Sequence, residues 1–164
     1  MLGGQYEPPA IPDHPSIRRV LDIGAGADAG AFACWVFLRH YAFVDCYEQD
    51  FDRAEVCRRN APPGAIVHEQ TAFGQKLPPA DLLKITAGTS AHAILDGYRH
   101  LARVGVVMFE WCGEDRRASL ERLCERAGLR LFKSVLDHVS RGHEVWIRSR
   151  AVWNGERYVL PGGA

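Results

Sequence analysis

The chain has 164 residues, enough for one domain with a sizeable core, and its 47% apolar and 24% charged content is ordinary for a globular protein. Twenty basic residues balance twenty acidic ones, which excludes the basic field that nucleic-acid binding uses. Apolar runs stay short of the ~18 residues a membrane-spanning helix needs, and the N-terminus lacks the charged and apolar blocks of a secretory leader. The five cysteines (34, 46, 57, 112, 124) never form a C-x-x-C pair, and the seven histidines have no metal-ligand spacing. Free thiols in a reducing, cytoplasmic compartment and no metal site are the expectations.

Taken in order, residues 1–16 carry Pro8, Pro9, Pro12 and Pro15 and read as an irregular lead-in. A short apolar strand is predicted over 19–23, ended by Gly24 and Gly26. Residues 29–41 follow as a helix that is apolar nearly all round, with Phe32, Trp35, Val36, Phe37 and Leu38. A second strand covers 42–47 and a second helix 51–60, which Ala61-Pro62-Pro63-Gly64 stops. A third strand covers 65–68 and a loop 69–79, then come a strand at 80–85 and a helix at 90–102. The continuous apolar run 104–109 predicts a central strand covered on both faces. An amphipathic helix at 115–127, with Gly128 as its C′ residue, precedes strands at 129–135 and 143–150. Asn154-Gly155, between 151–153 and 156–160, is a type I′ hairpin signal.

Strands alternating with helices predict an α/β, Rossmann-like doubly wound fold. Its seven-stranded sheet is mainly parallel, with an antiparallel last strand and a C-terminal hairpin. The division expected is a lead-in at 1–16, a main domain at 17–150, and a hairpin and tail at 151–164.

The organising stretch is Leu21-Asp22-Ile23-Gly24-Ala25-Gly26. Residues without a Cβ at a strand-to-helix turn let a ligand approach the backbone and the positive end of the next helix. Glu48 stands 22 residues past Gly26, at the tip of the second strand, where a carboxylate can accept hydrogen bonds from a ribose diol. Asp50 and Asp52 are placed to cap or charge-stabilise the helix that follows.

These residues resemble the class I S-adenosylmethionine-dependent methyltransferases, and more narrowly the FkbM family. Leu21-Asp22-Ile23-Gly24-Ala25 is similar to its glycine motif, and Val44-Asp45-Cys46-Tyr47-Glu48-Gln49-Asp50 with Arg58-Arg59-Asn60 to its second-strand block. Ala72 fits the alanine after the third strand. Asp81-Leu82-Leu83-Lys84-Ile85, with Gly97, is similar to the fourth-strand block, and Glu110 to the glutamate ending the fifth. The resemblance covers roughly residues 17–112. It implies S-adenosylmethionine lying across residues 24–30, with Asp22 reaching its methionine end, Gly24, Ala25 and Gly26 beneath it, Glu48 and Gln49 at the ribose, and Gln70, Thr71 and Ala72 near the adenine. Two departures stand out. The glycine that the family carries near position 28 is nearest matched by Gly30. Thr86-Ala87-Gly88-Thr89-Ser90-Ala91 replaces the family's Asp-x-Glu-Gly-x-Glu pattern, so three acids are gone.

Methyl transfer from a sulfonium is an in-line displacement in which the protein supplies orientation and, for a hydroxyl nucleophile, a base. The base candidates at the catalytic edge are His92 and Glu110; Lys84, inside a strand, is expected to pair or snorkel. The leading reading is O-methyl transfer to a hydroxyl of a small molecule or sugar. A second reading is a methyltransferase-like domain without turnover, used as a structural or assembly subunit, with the helix at 29–41 or the hairpin as the surface for a second copy or another protein. A nicotinamide oxidoreductase is third, since a Gly-x-Gly-x-x-Gly spacing is absent.

Overall fold

The structure is a computed structural model and describes residues 17–26, 43–138, 140–148, 152–153 and 158–159. The expected lead-in, the helix at 29–41 with Gly30, and the Asn154-Gly155 turn lie outside the described residues.

Five strands run parallel: β1 (Arg19–Ile23), β2 (Phe43–Glu48), β3 (Ala65–Glu69), β4 (Leu82–Ile85) and β5 (Val106–Cys112). β6 (Arg130–His138) and β7 (Arg141–Ile147) complete a seven-stranded sheet in the order β3-β2-β1-β4-β5-β7-β6. β7 is antiparallel to both neighbours, as expected of the last strand. β8 (Val152–Trp153) and β9 (Tyr158–Val159) pair antiparallel as the expected hairpin.

Period-two alternation sends side chains to two buried layers. On one face, Val20, Val44, Cys46, Leu82, Val106 and Met108 pack with Cys57 of α1 (Phe51–Asn60). On the other, Leu21, Leu83, Ile85, Val107 and Phe109 pack under Ile94 and Leu95 of α2 (Ala91–Gly97) and under Leu120, Leu123 and Cys124 of α3 (Glu114–Arg126). Asp50 caps α1, its carboxylate accepting from the Arg53 N–H at 3.0 Å. Gly128 follows α3 at φ +78°. No helix among the described residues is long and apolar enough to cross a membrane.

Two expectations shift. The helix expected over 90–102 is broken into a 3-10 turn at 88–90, α2, and a second 3-10 turn at 101–103. Tyr98 ends α2 in an extended conformation, and its hydroxyl donates to the Pro78 carbonyl at 2.9 Å. Arg148 then donates to the carbonyls of Leu101, Val104 and Ala127, fixing the chain where the helix would have run on. The central strand does not stop at Phe109. Pairing with β7 carries it on through Glu110↔His143, Trp111↔Gly142 and Cys112↔Arg141.

Candidate functional site

The turn after β1 is built by two glycines with different tasks. Gly24 (φ +71°) donates to the Tyr47 carbonyl at 2.9 Å, and Thr86 N donates to the Ile23 carbonyl at 2.7 Å, so the tips of β2, β1 and β4 are tied together. A Cβ on Gly24 would lie 2.3 Å from the Thr86 carbonyl oxygen, a contact only glycine avoids. At Gly26 (φ +64°), among the described residues, the nearest atom to a Cβ is the Gly24 oxygen at 3.9 Å. The Gly26 N–H points to Glu48, whose Oε2 accepts it at 2.7 Å, while Oε1 accepts the Asp50 N–H at 2.9 Å. Glu48 therefore stands against the turn, as its spacing predicts, but is only 5% exposed and holds the turn closed on β2.

Asp22 faces Lys84 across the β1–β4 ladder, with Oδ1 2.5 Å from Nζ. The lysine pairs, as expected of its position. Asp22 is fully buried and its Oδ2 has no hydrogen-bond partner among the described residues. Burial pushes its pKa above the usual carboxylate value; Lys84 opposes the shift and the nearby negative charge of Glu48 adds to it. Ala25 is buried and Gln49 exposed beside Glu48. Gln70 and Thr71 are exposed just past β3, with the Thr71 hydroxyl accepting the Phe73 N–H at 3.2 Å, and Ala72 is buried.

His92 and Glu110, distant in sequence, line one cleft of about 290 Å³ at the tips of β4 and β5. His92 is exposed on the first turn of α2. Glu110 is half-buried and its carboxylate is ion-paired with Arg141. Sequence reasoning missed the rest of the wall, to which Trp111, Thr89, Arg116 and Ser119 contribute. Trp111 is buried, its indole N–H has no acceptor among the described residues, and the Arg117 guanidinium lies 5.0 Å from the ring centroid. Arg117 is held in turn by Glu144 at 2.8 Å and Glu121 at 3.0 Å. The one sequence signal was Trp111 standing directly after Glu110 at the end of an apolar run. Among the described residues no group of three or more His, Cys, Asp or Glu could hold a metal ion.

No protein-family model and no curated protein sequence matches the chain. Solved structures do. A precorrin-6y C5,15-methyltransferase from Geobacter metallireducens GS-15 superposes with a TM-score of 0.61 at 16% identity, over 84% of this chain and 82% of that one. A ribosomal protein L11 methylase from Lactobacillus delbrueckii subsp. bulgaricus gives a TM-score of 0.64 at 11% identity, over 80% and 70%. The StiE O-MT, an O-methyltransferase segment, gives 0.54 at 17% identity, over 73% of this chain and 48% of that one. The fold of this chain is therefore the Rossmann-like fold that these methyltransferases share.

Proposed function

We propose that this chain is an S-adenosylmethionine-dependent methyltransferase that methylates a hydroxyl of a small molecule or sugar. The observation that carries the reading is one junction. Gly24 packs on Thr86, and two residues further on Gly88 lines the His92 cleft, so the glycine turn and the cleft adjoin at one sheet edge. Open α/β sheets place their chemistry at that edge. That solved methyltransferases share the fold, one of them an O-methyltransferase, supports the same class of reaction. The narrower likeness to the FkbM family rests on the sequence motifs alone.

The residues fit a cationic cofactor. Asp22 and Glu48 are buried carboxylates beside the turn, Asp22 paired with Lys84 and Glu48 accepting backbone N–H groups, and carboxylates suit a ligand that carries a sulfonium, an ammonium and a ribose diol. Asp22 Oδ2, unpartnered among the described residues, can accept a hydrogen bond, and each Glu48 oxygen has a second acceptor position for a ribose hydroxyl. Gly26 leaves room for close approach, and Gln70, Thr71 and Ala72 border the place for the adenine. When bound, S-adenosylmethionine supplies an electrophilic methyl group on sulfur. His92 is the general base: its imidazole is exposed in the cleft, while the Glu110 carboxylate is engaged by Arg141. Trp111, buried behind Glu110, borders the cleft from the core side.

A panel of small hydroxylated acceptors, read by S-adenosylhomocysteine release, tests this. Multiple turnovers are expected with at least one acceptor, and His92→Ala should lower kcat by about 10²–10⁴. The reading without turnover has one observation in its favour: residues 86–91 bring no acid to the cleft. Cofactor binding with no product from any acceptor would select it.

A further inference from the structure

α2 has a cleft on each flank. Ala91 and His92 face the one described above. Ala93, Ile94 and Gly97 face a second, of about 270 Å³, whose other wall is the loop 72–77. The second cleft has three properties the methyltransferase reading does not use. Among the described residues its lining contains two cations, Lys76 and Arg99, and no acid. Neither cation has an ion pair among the described residues, although Arg99 Nε donates to His100 Nε2 at 3.0 Å, which steadies the guanidinium and leaves both terminal nitrogens for another partner. Phe73, an aromatic ring 56% exposed, stands at the rim. Completion of the helix's C-terminal carbonyls does not account for the charge, because Lys76 belongs to the loop.

We propose that this cleft binds a small anionic ligand, with a carboxylate or phosphate held between Lys76 and Arg99 and an apolar or aromatic body lying on Phe73, Ala93 and Ile94. A planar guanidinium fork and a mobile ammonium around one anion form charge-assisted hydrogen bonds, the strongest a protein surface offers. The space lies just under the roughly 300–1,000 Å³ usual for ligand pockets and suits a small ligand. Gly74 and Gly97 border open space: a Cβ on either meets no atom of the described residues within 4 Å.

Calorimetry on the whole chain without cofactor tests the site independently of methyl transfer. The probes are phenyl phosphate and benzoate, with phenol as the uncharged control. At least one anion should bind with a Kd on the order of 1 mM or below, while phenol should not; the tighter of the two names phosphate or carboxylate as the preferred group. Lys76→Met and Arg99→Met should each weaken it about tenfold or more. Gly97→Leu should fill the cleft and abolish binding in a chain that still folds, because a Cβ at 97 meets no described atom within 4 Å; circular dichroism checks the fold. Lys133→Met, on β6, is the control and should change nothing. No heat from either anion at about 10 mM, or binding that survives Lys76→Met and Arg99→Met, overturns the proposal.

Discussion

Gly24 and Gly26 are two residues apart in one turn, yet a methyl group added to each meets a different fate. At Gly24 the left-handed φ and a 2.3 Å approach to the Thr86 carbonyl combine, and the neighbour is backbone that cannot swing away. Gly24→Ala is expected to cost about 3 kcal/mol or more, read as a lower urea midpoint. At Gly26 the φ of +64° opposes a side chain and no described atom lies closer than 3.9 Å, so Gly26→Ala should fold with a loss of about 1 kcal/mol and act chiefly on ligand approach. Equal losses at the two positions would contradict this division of labour. Glu144 makes a separate prediction. Buried on β7, it accepts from Trp146 Nε1 at 2.8 Å and pairs with Arg117, and burial holds its pKa above the usual carboxylate value. A carboxyl raised in the folded state binds its proton more tightly there than in the unfolded chain. Its contribution to stability is therefore fully present below the unfolded value of about 4.3 and is lost as pH rises through the folded one. Glu144→Gln removes the titration while Arg117 keeps Glu121. Wild-type stability should thus fall more than the variant's between pH 5 and 8, in urea unfolding at each pH; parallel profiles would refute it.

At the scale of elements, Arg148 joins three connections. Its Nε, Nη1 and Nη2 donate to the carbonyls of Val104, Ala127 and Leu101 at 2.9, 2.7 and 2.9 Å, and burial lowers its pKa. Arg148→Met should leave three carbonyls unanswered and cost about 2–4 kcal/mol, measured as a lower Tm with unchanged secondary structure by circular dichroism. Such a clamp was invisible in the sequence, because it depends on where three loops meet. The strands were legible because each is a short apolar run bounded by glycine, proline or polar residues, and α1 because Asp50 and Ala61-Pro62-Pro63 mark its ends. Local pattern failed where long-range pairing decides the outcome. Glu110, Trp111 and Cys112 belong to β5 because β7 lies beside them, and Arg141 and Gly142 open β7 although the expected strand began at His143. The position of Glu48 beside the turn was legible from a spacing that crosses one βα unit. The pairing of Asp22 with Lys84 was not, since it requires knowing that β1 and β4 are neighbours.

At the scale of the whole molecule, the strand order β3-β2-β1-β4-β5 reverses direction between β1 and β4. Strand connections leave to opposite faces at such a switch point, and a crevice opens outside the carboxyl ends of the strands. Gly24, Glu48, Thr86 and the His92 cleft all gather at that edge, although they come from four separate stretches of chain. The central claim is that this edge binds S-adenosylmethionine through the glycine turn and Glu48. Calorimetric titration of the folded chain with S-adenosylmethionine, repeated on Glu48→Gln, tests it most directly. Saturable binding by the wild type is expected, with affinity about ten- to a hundredfold weaker in the variant, as befits loss of a charge-assisted bond of roughly 1.5–3 kcal/mol. No binding to a correctly folded wild-type sample at about 1 mM ligand, or equal affinity in the two proteins, would contradict it.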